Sequence, residues 1–128
     1  MSGAIISAGI TEDQAVKCIL GEARGEYKKH GFKSFLYLAE ALRNRGTTSG
    51  VYGCNALISK REAAFIKSLG LDREAARAWR ASALSNETQG ASYWGSLIVD
   101  RAWIKTMQKA GYVQTATIGN HVYYKRGF

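Results

Sequence analysis

The sequence predicts an α+β domain, predominantly helical, with a small β-hairpin at its C-terminal end. Up to about residue 83, apolar residues recur at three- and four-residue steps behind polar residues of the kind that start helices. From Leu84 the texture changes to SNETQGASYWGS, rich in turn-formers, and the later segment YVQTATIGNHVYYK alternates around Gly119-Asn120. The 128 residues contain no proline, no internal repeat and no low-complexity linker, which is the length and texture of one domain spanning 1–128.

The elements follow in order. Thr11 with Gln14 is a capping-box pattern, so a first helix starts at about residue 12 and is expected to run to about Gly25. On a wheel of about 100° per residue, Ala15, Val16, Ile19, Leu20 and Ala23 share one arc, with Asp13, Gln14, Lys17 and Arg24 opposite. Phe32, Phe35, Leu36, Ala39 and Leu42 predict a second helix, stopped by Gly46 after the cations Arg43 and Arg45. Thr47 to Asn55, rich in Gly, Ser and Thr, reads as a loop. Ser59 with Glu62 starts a third helix ending near Gly70, and Asp72 is expected to cap a fourth through Ala75, Ala76, Trp79 and Ala83. Ala91 to Trp94 suggests a short strand, Arg101 to Ala110 a last helix ended by Gly111, and the segment after it two strands around a tight turn.

Composition limits the function classes. Hydrophobic residues at 46% and charged residues at 22% are those of a soluble globular domain, and no apolar run reaches the roughly 20 residues of a membrane span, so stable membrane insertion is not expected. The opening MSGAIISAGI lacks a basic start and is followed by Thr11-Glu12-Asp13, so it does not read as a secretory signal. A formal net charge of +8 predicts attraction to polyanions, but the cations are scattered in runs no longer than two, which disfavours a nucleic-acid-binding tail. Cys18 and Cys54 allow one bridge or none; with no CxxC pair, two part-buried thiols is the simpler expectation. Two histidines and two scattered cysteines show no zinc spacing, and neither metal nor cofactor is expected.

The chemistry concentrates in GEARGE, residues 21 to 26. Glu22 falls about 20° outside the apolar arc of the first helix, and Glu26 falls within it if the helix persists that far. A carboxyl on an apolar rim is partly desolvated, which raises its pKa as a general acid near neutral pH requires. Gly21 and Gly25 each cost roughly 1 kcal/mol in a helix interior, so two in one turn suggest close approach by backbone or by a bulky ligand. Arg24 belongs to the solvated side. Tyr93, Trp94, Trp103, Tyr112, Tyr123 and Tyr124 gather in the last third, where aromatic faces suit a glycan groove as well as core packing.

GEARGE, then ALRNRG, then TQGASYW, then a Trp-containing helix, then IGNHVYYK, taken in this order, resemble the bacterial cell-wall hydrolase family of the SleB type, the spore-cortex-lytic enzymes. The resemblance covers roughly residues 12 to 125; residues 47 to 85 follow the pattern poorly, and Asn86-Glu87 stands where the family has Asp-Pro. It implies a lysozyme-like or lytic-transglycosylase-like domain that cuts peptidoglycan between N-acetylmuramic acid and N-acetylglucosamine. Residue by residue, it implies Glu22 as the catalytic acid, with Thr88, Gly90, Ala91, Tyr93, Gly119, His121 and Tyr123 walling a substrate cleft; with Glu22 as sole acid, Glu26 is expected to support it or to contact substrate.

A transglycosylase needs one carboxyl, which protonates the glycosidic oxygen and then removes the proton of the muramic C6 hydroxyl. A hydrolytic muramidase normally needs a second, for which Glu26 or Glu87 is available. Two side chains on one helix turn do not flank a sugar from both sides, which favours the transglycosylase. A non-catalytic module binding glycan or nucleic acid would use the same basic and aromatic residues without an acid at the rim. A small basic enzyme with no signal further suggests a phage endolysin, monomeric, made in the host cytoplasm and acting at the cell wall.

Overall fold

The computed structural model describes residues 9–128. Most of the opening segment, on which the reading of an absent export signal rests, lies outside them. Five helices, α1 (Glu12–His30), α2 (Phe32–Arg45), α3 (Lys60–Leu69), α4 (Leu71–Ser82) and α5 (Arg101–Lys109), accompany three strands, β1 (Tyr93–Ser96), β2 (Tyr112–Ile118) and β3 (His121–Arg126). The architecture is α+β and mostly helical, with the sheet near the C-terminus. Among the described residues, no helix is long and apolar enough to cross a membrane.

The capping box of α1 forms as predicted, the Thr11 hydroxyl accepting from the Gln14 amide at 3.2 Å and the Gln14 side chain accepting from the Thr11 amide at 3.0 Å. The helix does not stop at Gly25. It runs on to His30, because Tyr27 is anchored on both sides: its ring lies 4.7 Å from that of Phe35, and its hydroxyl donates to Glu74 Oε1 at 3.1 Å. Lys28 and Lys29 place positive charge against the dipole of the last turn, and Gly31, at φ 69°, turns the chain into α2. The fourth helix also departs from expectation. It starts at Leu71 behind Gly70, with no side-chain cap; Asp72 sits in its first turn instead.

Helices α1, α2 and α4 enclose one core of Ala15, Ile19, Phe35, Leu38, Leu42, Leu71, Ala75 and Trp79. Arg43 ties α2 to α4 with its guanidinium 3.9 Å from the Trp79 ring centroid, its Nε donating to Ser82 Oγ at 2.9 Å and its terminal nitrogen to the Trp79 carbonyl. Helix α3 buries only Ile66 among its ten residues and is peripheral.

The sheet is antiparallel in the order β1-β3-β2, so β3 is central and loses no edge to solvent. The predicted hairpin is present, closed by Gly119-Asn120 with Gly119 at φ 55°, and a bulge at Thr115 breaks the register between Gln114 and Ala116. One face of β3 reaches the main core through Tyr123, and Val122 and Tyr124 join Ile104 and Met107 of α5 in a second cluster. The short strand lies two residues later than predicted, because Ala91 is buried against α2, where its carbonyl accepts from Asn44 Nδ2 at 2.8 Å.

The two cysteines are not thiols. Cys18, on the buried face of α1, and Cys54 form a disulfide. The segment read as an open loop carries a short 3-10 turn over Tyr52–Asn55, which that bond pins across α1.

Candidate functional site

Glu22 stands where three parts of the chain meet. The disulfide leaves Cys18 one helical turn before it and brings Gly53, the neighbour of Cys54, directly onto α1. The approach needs glycine on both partners. A Cβ on Gly21 would lie 1.9 Å from the Gly53 carbonyl oxygen, and a Cβ on Gly53 would lie 2.6 Å from Glu22 Cγ. The close approach inferred for Gly21 is therefore realised by backbone. At Gly25 it is not: the space beside it is open, so no neighbouring backbone explains that glycine.

Burial is the main reason that the Glu22 carboxyl is raised above its usual range. The Gly53 amide and the Trp94 indole oppose the rise, and the carboxylate of Asp100 adds to it. Glu22 lines a cleft of about 1000 Å³. One part of the lining comes from Gly50, Val51 and Tyr52; another comes from Tyr93, Trp94, Gly95 and Ser96 of β1, with Val99, Asp100, Trp103 and Met107 following. Arg45 and His121 complete it. Tyr52, 89% exposed, adds aromatic surface to that of Tyr93, Trp94 and Trp103 in the lining. Arg45 is fixed by donating to the Ser49 carbonyl at 2.7 Å, with its guanidinium 5.7 Å from the Tyr93 ring centroid.

Of the residues expected to bind substrate, only Tyr93 and His121 line this cleft with Glu22. Burial pushes the His121 imidazole below its usual range, against the pull of Glu26 and Asp100. Its Nδ1 is buried without a partner. Tyr123 does not wall the cleft. It is fully buried in the core, where loss of water and the nearby Glu22 and Glu26 carboxylates push its hydroxyl well above the ordinary range.

Glu26 is 15% exposed, as its wheel position predicts for a helix that continues, but it turns to the hairpin and not to the cleft. Its Oε2 lies 3.6 Å from His30 Nε2, and a Cβ on Gly119 would approach that oxygen closely. Arg24 is not on a solvated side either: its Nε donates to Glu62 Oε2 at 2.7 Å and its terminal nitrogen to the Leu20 carbonyl at 3.0 Å.

The Thr88-Gln89-Gly90-Ala91 segment does not line the cleft, and Thr88 and Ala91 are hydrogen-bonded to α2. Thr88 is fully buried and donates from both amide and hydroxyl to Glu40 Oε1, each at 2.8 Å. Glu40 Oε2 accepts from the Ser85 hydroxyl and from the Glu87 amide at 3.0 Å. Gln89 at φ 54° and Gly90 at φ 84° then turn the chain into the buried Ala91. This knot fixes the position from which β1 departs, and so the wall of the cleft. The Glu87 side chain is exposed and outside the cleft, so neither proposed second carboxylate, Glu26 or Glu87, lines it.

Of the residues that build the site without a site role in the sequence analysis, Tyr52 and Arg45 among them, Glu40 and Asp100 show why. Glu40 depends on partners more than forty positions away, which no local pattern reveals. Asp100 carries a signal that points elsewhere, since an Asp just before a helix reads as its cap.

Fold and site together define a mostly helical α+β domain with a desolvated carboxylic acid in an aromatic-walled cleft. In comparisons with protein-family models, curated proteins and solved structures, nothing matches the chain. Among the described residues there is no cluster of three or more His, Cys, Asp or Glu side chains fit to hold a metal ion.

Proposed function

We propose that this chain is a muralytic glycosidase with a lysozyme-like domain, cutting peptidoglycan between N-acetylmuramic acid and N-acetylglucosamine by lytic transglycosylation. The observation that carries this is the setting of Glu22, a carboxyl raised by burial and facing a cleft large enough for a glycan segment. Its proton passes to the glycosidic oxygen as the C1–O bond breaks. The resulting carboxylate takes the proton of the muramic C6 hydroxyl as that oxygen bonds C1, giving a 1,6-anhydro end and returning Glu22 to its acid form. Trp94, Trp103 and Tyr52 offer faces for sugar rings. The net charge of +8 favours an anionic envelope, in keeping with an endolysin's role in host-cell lysis.

Turbidity of purified sacculi tests the assignment. Wild type is expected to clear them and Glu22→Gln to be slowed at least about 100-fold. Equal clearing by the variant would refute Glu22 as the acid, and no clearing by wild type would favour a non-catalytic glycan-binding module. The second reading, hydrolysis, is favoured by one observation: Asp100 puts another carboxylate in the same cleft. Mass spectrometry of the released muropeptides separates the two, 1,6-anhydro ends marking transglycosylation and reducing ends hydrolysis.

A further inference from the structure

Asp100 is held in an unusual way for a residue that precedes a helix. It makes no side-chain cap on α5. Its carboxylate turns back instead, Oδ2 accepting from the Ser96 amide at 2.7 Å while the Asp100 amide donates to the Ser96 carbonyl at 2.8 Å. These reciprocal bonds close the Leu97-Ile98-Val99 turn. Gly95 completes the clamp: a Cβ there would lie 2.7 Å from the Trp103 ring and 3.4 Å from Asp100 Cβ, so the bare backbone of β1 lets both residues pack against it. Among the described residues no cation forms a salt bridge with Asp100, and its Oδ1 takes no hydrogen bond from the protein. It is thus a rigidly seated, unneutralised carboxylate in the cleft that holds Glu22.

We propose that Asp100 is a second catalytic residue, the anionic group that faces the sugar ring while Glu22 supplies the proton. This rests on the glycosidase reading above. As the C1–O bond breaks, its electron pair leaves with the oxygen that Glu22 protonates, and positive charge spreads over C1 and the ring oxygen. A fixed carboxylate stabilises that charge without gaining or losing a proton, and the C6 oxygen then closes on C1 as before. An electrostatic group already in place needs no reorganisation during the reaction, which is the condition under which such groups contribute most. The field of Asp100 also reaches Glu22 and His121.

Asp100→Asn is the informative variant, because an amide oxygen still accepts from the Ser96 amide while the charge is lost. It is expected to keep the wild-type melting temperature, to lower kcat about 100-fold with KM changed less than threefold, and to move the basic limb of the pH profile to lower pH. That limb belongs to Glu22, which shares its surroundings with Arg45, His121 and Tyr93 in the cleft and with Glu26 and Tyr123 behind it. Asp100→Glu should recover part of the rate. If Asp100→Asn clears sacculi within twofold of wild type while Glu22→Gln is inert, the role of Asp100 is refuted and the glycosidase stands. If Glu22→Gln is fully active, both fall. Loss of rate with an unmoved pH profile and an equal loss in Asp100→Glu would reduce Asp100 to a turn-former and overturn the proposal.

Discussion

Gly21 and Gly25 occupy the same helix, four residues apart, yet alanine at the two positions should act with opposite sign. At Gly21 the new methyl carbon would sit 1.9 Å from the Gly53 carbonyl oxygen and 2.6 Å from its carbonyl carbon, both backbone atoms. Restoring ordinary contact requires the 3-10 turn to retreat by about 1.5 Å. That turn is bonded to α1 through Cys54 and cannot simply swing away. Overpacking of this kind costs about 1–3 kcal/mol, from which alanine's better helix propensity returns at most about 1 kcal/mol. Gly21→Ala should therefore lose up to about 2 kcal/mol. At Gly25 nothing lies within 4 Å of the added carbon, and the residue is inside α1, so Gly25→Ala should gain about 0.5–1 kcal/mol. Urea unfolding followed by far-ultraviolet circular dichroism, with the disulfide intact, measures both. A Gly21→Ala variant as stable as wild type, or a Gly25→Ala variant less stable than wild type, would refute the assignment of the close approach to Gly21 alone.

Replacing Glu40 by Gln turns one acceptor oxygen of a buried knot into a donor facing other donors, and should cost about 2–4 kcal/mol, read as a lowered melting temperature. Glu22 is raised from its usual value of 4.5, so the folded state holds its proton more tightly than the unfolded chain does. Its contribution to stability is fully present below 4.5 and is lost as pH rises through the higher folded value. Glu22→Gln should therefore be more stable than wild type at neutral pH, with the difference closing in acid, when unfolding is followed across pH. Reduction, or Cys18→Ser with Cys54→Ser, opens a loop of 36 residues and should cost about 3–4 kcal/mol in denaturant titrations.

Much of the fold was legible because its signals are local. Thr11 with Gln14, Ser59 with Glu62, Gly46 and Gly119-Asn120 each decide one boundary through bonds within four residues, and the structure places boundaries there. Two of the errors share a physical cause, which is that a distant partner overrode the local signal. Tyr27 carries α1 past Gly25 by holding Phe35 and Glu74, and Asn44 keeps Ala91 out of the strand. The site divides in the same way. The rim position of Glu22 follows from its own helix, whereas Thr88 and Ala91 are drawn away from the cleft by Glu40 and Asn44, more than forty positions distant, and Tyr123 by its burial in the main core. Asp100 was hidden because its sequence context suggests a cap that it does not make.

The bond between Cys18 and Cys54 has a topological consequence. It closes a covalent ring that contains the end of α1, all of α2, and with them Glu22, Glu40 and Arg45. The exposed residues Thr47, Ser49 and Gly50 lie inside that ring. A protease that nicks the chain there releases nothing, and the acid keeps its connection to Gly53 through the sulfur atoms. Asp100 and β1 lie outside the ring and are joined to it through the backbone after Cys54 and by non-covalent contacts. The two sides of the cleft are thus secured by different means, one as a closed loop of chain, the other as a flap that a single cut after Cys54 would detach on unfolding.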